Sequence, residues 1–193
     1  MRKLTRPKDQ RLLIAFGANL QTGVMTLAQT IQAAAAAIAC DDVRLGAMSR
    51  LYASPCFPAG AGPDYVNAAA MLETALTPQE LLAHLHAVET IFRRERLQRW
   101  GGRTLDLDLL AAGDLILPDA ETHRHWRNLA PADQARLSPD RLVLPHPRLQ
   151  DRAFVLVPMA DIAPDWQHPV LGLTVLQMIE RLDPADVRAV TPL

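Results

Sequence analysis

Residues 99–110 read RWGGRTLDLDLL, and acids alternate with leucines through the second half of that stretch. On a β-strand, side chains alternate between faces. Leu105, Leu107 and Leu109 then point one way and Asp106 and Asp108 the other, the two acids roughly 7 Å apart at a rise of ~3.3 Å per residue. Two carboxylates that close repel each other, and a hard cation removes the conflict. Magnesium takes one or two carboxylates and completes its octahedron with water and phosphate oxygens; a pair of such ions clamps both ends of a phosphoryl displacement. A bare acid pair on a strand is otherwise an ordinary solvated face. The neighbours change that weight: Arg93, Arg94, Arg96, Arg99 and Arg103 precede the pair, with Trp100 among them. Guanidinium groups match phosphate oxygens. By themselves the arginines read equally as a solvated helix end; beside the acids they point to metal plus polyphosphate. No GxxxxGK[ST] loop is present, so a nucleotide would be held without one.

Other residues carry weaker signals. Tyr65 and Asn67 share a strand face, where core packing is the first reading and a flat heterocycle stacked on the ring is the second. His146 and Arg152 flank the turn LPHPRLQDR and read either as nucleotide contacts or as surface residues. His84 and His86, two apart on a helix, do not share a face, so they make no zinc site. His123 and His125 fall in a polar stretch and are expected to be solvated. Cys40 and Cys56 have neither metal-ligand spacing nor a disulfide framework.

The elements that must position these groups follow from periodicity. Residues 12–16 form a short apolar run ending at Gly17, a buried strand. Residues 25–39 carry Leu27, Ile31, Ala34 and Ile38 at helical spacing, and 43–52 alternate as a strand. A loop at 54–64 with three prolines and two glycines is long enough to act as a lid. Residues 65–73 alternate again, with Val66, Ala68, Ala70 and Leu72 on one face. Thr77-Pro78-Gln79-Glu80 is a capping box with proline at the first helical position. The helix it starts carries Leu81, Leu85, Val88 and Phe92 on one stripe. The strand at 104–110 follows. Strand, helix, strand, strand, helix, strand is the split βαβ order of a ferredoxin-like α+β domain. The expected fold is a βαββαβ core, a mostly antiparallel sheet with helices packed on it, and additional C-terminal strands and a helix. Residues 142–145 and 154–158 read as short apolar runs, 173–182 as a final helix, 1–10 as a flexible arm and 119–141 as a surface insertion.

Composition sets the outer bounds. The 193 residues suit one domain; 49% are apolar, 21% are charged and the net charge is -1, which excludes a polyanion binder acting by bulk field. The basic N-terminus has no apolar signal region and no run is long enough to span a bilayer, so a cytoplasmic protein is expected. A ferredoxin-like sheet that binds nucleic acid or a ligand without catalysis is the competing class. Only 5% of residues are aromatic, and two strand-face acids would repel a phosphate backbone lacking metal.

Four blocks in order, FGANL, YASPCFPAGAGPDYVNAAAMLET, RWGGRTLDLDLL and LPHPRLQDRAFVLVPMADIAP, carry a resemblance to the 6-hydroxymethyl-7,8-dihydropterin pyrophosphokinases of folate biosynthesis. The resemblance implies pyrophosphoryl transfer from ATP to the pterin hydroxymethyl group, leaving AMP. It places two Mg2+ ions on Asp106 and Asp108, and catalytic arginines at Arg94 and Arg103. ATP contacts fall on Glu89, Arg96, Trp100, Leu109, His146 and Arg152. Pterin contacts fall on Ser54, Pro55, Phe57, Tyr65, Asn67, Trp100 and Phe154, with Tyr65 and Phe154 sandwiching the ring. Small-molecule partners, a monomer or weak homodimer, and no nucleic acid or membrane are the matching expectations.

Overall fold

The computed structural model describes residues 10–21, 23–56, 62–92, 104–130, 133 and 136–193. Phe57, Arg94, Arg96, Trp100 and Arg103 lie outside them. Chain order is β1 (Gln10–Ala18), α1 (Leu27–Ile38), β2 (Val43–Met48), β3 (Tyr52–Ser54), β4 (Tyr65–Thr74), α2 (Pro78–Ile91), β5 (Asp106–Ala112), α3 (Ala120–Arg127), α4 (Ala153–Ile162), α5 (Val175–Ile179), α6 (Pro184–Arg188) and β6 (Thr191–Pro192). The strands pair antiparallel in the order β5-β1-β4-β3-β6, with β2 also on β4. This is the βαββαβ core expected, with one difference inside it: the strand read over 43–52 is two. Ser49 breaks it, its N–H bonding to the Ala69 carbonyl and its hydroxyl accepting the Ala69 N–H at 2.9 Å. Beyond the core, where C-terminal strands and a final helix over 173–182 are expected, the chain carries α4, the short helices α5 and α6, and a single two-residue strand, β6.

Helix starts follow local chemistry. Thr77 caps α2 through the Glu80 N–H, and Glu80 returns a bond to the Thr77 N–H at 2.8 Å; Thr26 and Gln29 do the same for α1. Such a cap is worth about 1 kcal/mol. The helices α1 and α2 cover one sheet face, where Ile31, Ile38, Leu81 and Leu85 pack on Leu12, Ile14, Phe16, Leu72, Leu105, Leu107 and Leu109.

The opposite face is covered by α4 and α5, through Val155, Leu156, Met159, Val175 and Met178 on Leu13, Ala15, Ala69 and Leu110. The run at 154–158, read from sequence only as short and apolar, is therefore part of a ten-residue helix. The far end of α4 is tied down by Asp161. Its carboxylate accepts bonds from the Arg50 N–H, Nε and guanidinium at 2.9–3.1 Å and from the Tyr52 hydroxyl at 2.9 Å.

The Arg50 hydrogen bond holds the Asp161 carboxyl below the usual aspartate range, against the effect of partial burial. A depressed folded-state pKa contributes stability that is complete above the unfolded value of about 4 and lost as pH falls through the folded value. Urea midpoints should therefore fall more steeply below pH ~4 in the wild type than in Asp161→Asn. Parallel acid limbs would remove this tie as a source of stability.

Candidate active site

Strand β5 delivers the two acids as the alternation requires. Leu105, Leu107 and Leu109 are buried in the α1/α2 core, whereas Asp106 and Asp108 are half-buried on the opposite face. The rows beside them are set by register. Gly17 of β1 lies between Asp106 and Asn67, and Ala15 between Asp108 and Ala69. A Cβ on Gly17 would stand 3.7 Å from Asn67 Oδ1, 3.9 Å from the Tyr65 ring and 4.0 Å from Asp106 Cβ. The missing side chain leaves a shallow trough that joins the acid pair to the Tyr65/Asn67 face.

Both walls of that trough are held from below. Glu89 of α2 is 1% exposed, and its carboxylate accepts the Leu107 N–H at 2.8 Å, fastening the backbone between the acids. Asn67 is buried and donates to Ser54 Oγ at 2.9 Å, joining β4 to β3. Cys56 and Gly62 bond to one another through the thiol at 3.0–3.1 Å, closing the base of the loop after Ser54. Pro55, between Ser54 and Cys56, is exposed. Phe154, in the first turn of α4, is 38% exposed although it belongs to an otherwise apolar helix.

The nucleotide-side candidates gather at the free edge of β5. A bulge there sets Leu110 and Ala111 together opposite Leu13, so the strict alternation ends after the acids. The Leu110 carbonyl accepts the His146 N–H at 2.7 Å, which brings the turn containing His146 and Arg152 to the strand. Arg152 stands with one guanidinium nitrogen 3.7 Å from Asp108 and the group 5.7 Å over the Phe154 ring. It thus connects Asp108 to the Phe154 ring. Burial, then the charges of Arg152 and Arg148, push the His146 pKa down to about 3, so the ring is neutral at pH 7. Its Nδ1 accepts the Arg148 N–H at 3.1 Å, which leaves the proton on Nε2 as a donor. Asp108, Leu109, His146, Arg148 and Arg152 line one cleft of about 420 Å³.

Magnesium suits this donor set. Two carboxylates on one face leave most of an octahedron for water and phosphate oxygens, and the glycine trough leaves room beside them. Among the described residues no cluster of three or more His, Cys, Asp or Glu offers an all-protein metal cage.

The family model for 7,8-dihydro-6-hydroxymethylpterin-pyrophosphokinase matches residues 13–164. The chain belongs to that family. It is 38% identical over 161 residues to the 2-amino-4-hydroxy-6-hydroxymethyldihydropteridine pyrophosphokinase of Pseudomonas aeruginosa, covering 83% of this chain and 85% of the relative. The namesake of Synechocystis is 45% identical over 130 residues, which is 67% of this chain but 56% of that longer protein. Among solved structures, a Plasmodium falciparum HPPK-DHPS chain superposes with a TM-score of 0.61 at 14% identity, over 90% of this chain and 45% of that one. That likeness supports the ferredoxin-like α+β fold alone. Among the described residues no helix is long and apolar enough to cross a membrane.

Among the residues read for chemistry, one expectation fails. His123 is 0% exposed rather than solvated. Its Nε2 faces the Pro145 carbonyl at 3.0 Å and its ring meets that of His168 edge-on at 5.8 Å. Burial lowers the pKa of both histidines, that of His168 to about 4. The residues before and after it are polar, so no apolar periodicity marks it. Gly17 has its part in the site through strand pairing and the Leu110 carbonyl through the distant His146 N–H, and neither leaves a local signal.

Proposed function

We propose that this chain transfers the pyrophosphoryl group of ATP to the hydroxymethyl oxygen of 6-hydroxymethyl-7,8-dihydropterin, as a step of folate biosynthesis. The hydroxymethyl oxygen attacks the β-phosphorus, the bond from that phosphorus to the oxygen bridging to the α-phosphate breaks, AMP leaves with the oxygen, and the hydroxyl proton passes to solvent. The observation that carries this reading is the acid pair beside a cleft lined by His146, Arg148 and Arg152, with Arg152 standing 3.7 Å from Asp108 and over the Phe154 ring.

In this reading Asp106 and Asp108 hold two magnesium ions. The ions neutralise and orient the triphosphate oxygens when bound. Arg152 and the neutral His146 donate to phosphate or ribose oxygens, and Leu109 packs against the nucleotide. Glu89 supports the strand between the acids. Tyr65 and Phe154 stack on the two faces of the pterin. Asn67 and the Ser54–Pro55–Phe57 backbone read its polar edge. Arg94 and Arg103 stabilise charge in transfer, Arg96 binds ATP, and Trp100 closes over both substrates. Fixed donors of this kind act on charge that develops in the transition state. The deciding assay is conversion of ATP to AMP that requires both magnesium and the hydroxymethyl-dihydropterin. ATP hydrolysis independent of the pterin, or no turnover with both present, would reject the assignment.

Phe154→Ala tests the platform. Stacking on an aromatic ring contributes about 1–3 kcal/mol, taking nucleobase stacking as the guide. Calorimetry should show pterin affinity falling by that amount with affinity for a non-hydrolysable ATP analogue nearly constant. Equal losses for both ligands would make Phe154 a packing residue only.

A further inference from the structure

The cleft beside Asp108 has a second wall that the reaction has not used. Its apolar lining comes from Trp126, Leu129, Leu137, Pro139 and Leu142, among the described residues between Asp119 and Leu142. The other lining groups divide by chemistry. Asp108 and Arg152 are 3.7 Å apart, and Arg152 and Arg148 both lie close enough to His146 to depress its pKa. Arg148 and Arg152 are thus gathered beside Asp108, where a triphosphate would be held, whereas Asp140 and Arg141, the charged lining groups of the other wall, pair with each other at 3.4 Å. Of the eight lining residues on that wall five are apolar, and the other three, Ser138, Asp140 and Arg141, are consecutive but for Pro139.

That wall is anchored rather than loosely laid on the surface. The backbone groups of Leu117 and Leu144 bond to one another at 2.8 and 3.1 Å where the segment leaves and rejoins the body. Asp119 caps α3 through the Thr122 N–H and hydroxyl, both at 2.8 Å. One turn on, the fully buried His123 fixes the helix against the Pro145 carbonyl, next to His146. Residues three apart on a helix share a side, so this clamp also sets the direction of Trp126. Six of the eight residues of α3 are polar or charged, and Trp126 is its single large apolar side chain. Neither sheet-face core includes it, and it lines the cleft part-exposed instead.

We propose that Trp126 is the platform on which the purine base of ATP stacks, with α3 serving as the base-side wall of the nucleotide cleft. The proposal rests on the ATP reading above. An indole face accepts any purine, so Trp126 supplies affinity for a base and little choice between bases.

The test is equilibrium binding to the full chain of two probes in the presence of magnesium: the α,β-methylene analogue of ATP, and inorganic tripolyphosphate, which has no base. Trp126→Ala should weaken the nucleotide analogue by about tenfold to a hundredfold and leave tripolyphosphate and pterin affinities unchanged. Trp126→Phe should restore most of the loss. In turnover, KM for ATP should rise in Trp126→Ala while kcat stays near the wild-type value, the pattern of uniform ground-state and transition-state binding. Unchanged analogue binding in Trp126→Ala, or an equal loss for tripolyphosphate, would overturn the stacking role while leaving the ATP reading intact. If the wild type bound neither probe, the ATP reading itself would fall, and this inference with it.

Discussion

Asp106→Ala and Asp108→Ala are each expected to lower turnover by roughly a thousandfold or more. A metal clamp on transferring phosphate supplies several kcal/mol in the transition state, and each 1.36 kcal/mol is a factor of ten. Stability should hardly change. Both side chains are half-buried on the sheet face that α4 and α5 partly cover, opposite the buried leucines. The one described ion pair lost with Asp108 spans 3.7 Å to Arg152 with both groups about one-third exposed, and such pairs contribute about 0–1 kcal/mol. Quench-flow of ATP and pterin at saturating magnesium, with urea unfolding of the same preparations, measures the two quantities together. Near-normal turnover in either variant would reject the metal assignment. A large loss of stability would instead mean that the acids hold the fold.

Leu107→Asp should do the reverse and unfold the chain. Leu107 is 2% exposed in the core formed with α1 and α2, and its own N–H is bonded to the buried Glu89 carboxylate. A carboxylate introduced there would sit among the apolar side chains of that core. Burying an unpaired charge costs several kcal/mol even after the structure relaxes, against a total stability of about 5–15 kcal/mol for an ordinary domain. Far-ultraviolet circular dichroism and size-exclusion chromatography should show an unfolded or aggregated chain. A soluble Leu107→Asp variant with a cooperative urea transition would contradict the facing of β5. Asp106, Leu107 and Asp108 are consecutive, so the contrast between their variants isolates the side chain's face from its place in the sequence.

The residues that act through local geometry were legible in the sequence. Alternation in 105–109 stated which side chains are buried and which are presented, because a strand has a period of two. The Thr77–Glu80 capping box located the start of α2, because a cap is a bond between residues three apart. The order of elements was enough for the ferredoxin-like core, and four sequence blocks were enough for the family. Where the reading stopped, the missing information was non-local. The strand expected over 43–52 breaks at Ser49 because Ala69, twenty residues on, offers both of its backbone groups. The helix containing Phe154 gained its assignment from packing on Leu13, Ala15 and Ala69. A five-residue apolar run by itself does not distinguish strand from helix.

The site divides along the same line. That two acids share a face is a property of one strand, and the sequence by itself determined it. That Gly17 leaves an open trough between Asp106 and Asn67 depends on the pairing register of three strands. That His146 lines the same cleft as Asp108 depends on the bond its N–H gives to the Leu110 carbonyl, a contact that spans thirty-six residues. That Glu89 fastens the strand spans eighteen residues, and the anchoring of α3 by His123 to Pro145 spans twenty-two. Such contacts leave no periodic trace in the chain. They exist because buried polar groups must find partners, and only the folded arrangement of β5, α2 and α3 decides which partners are within reach.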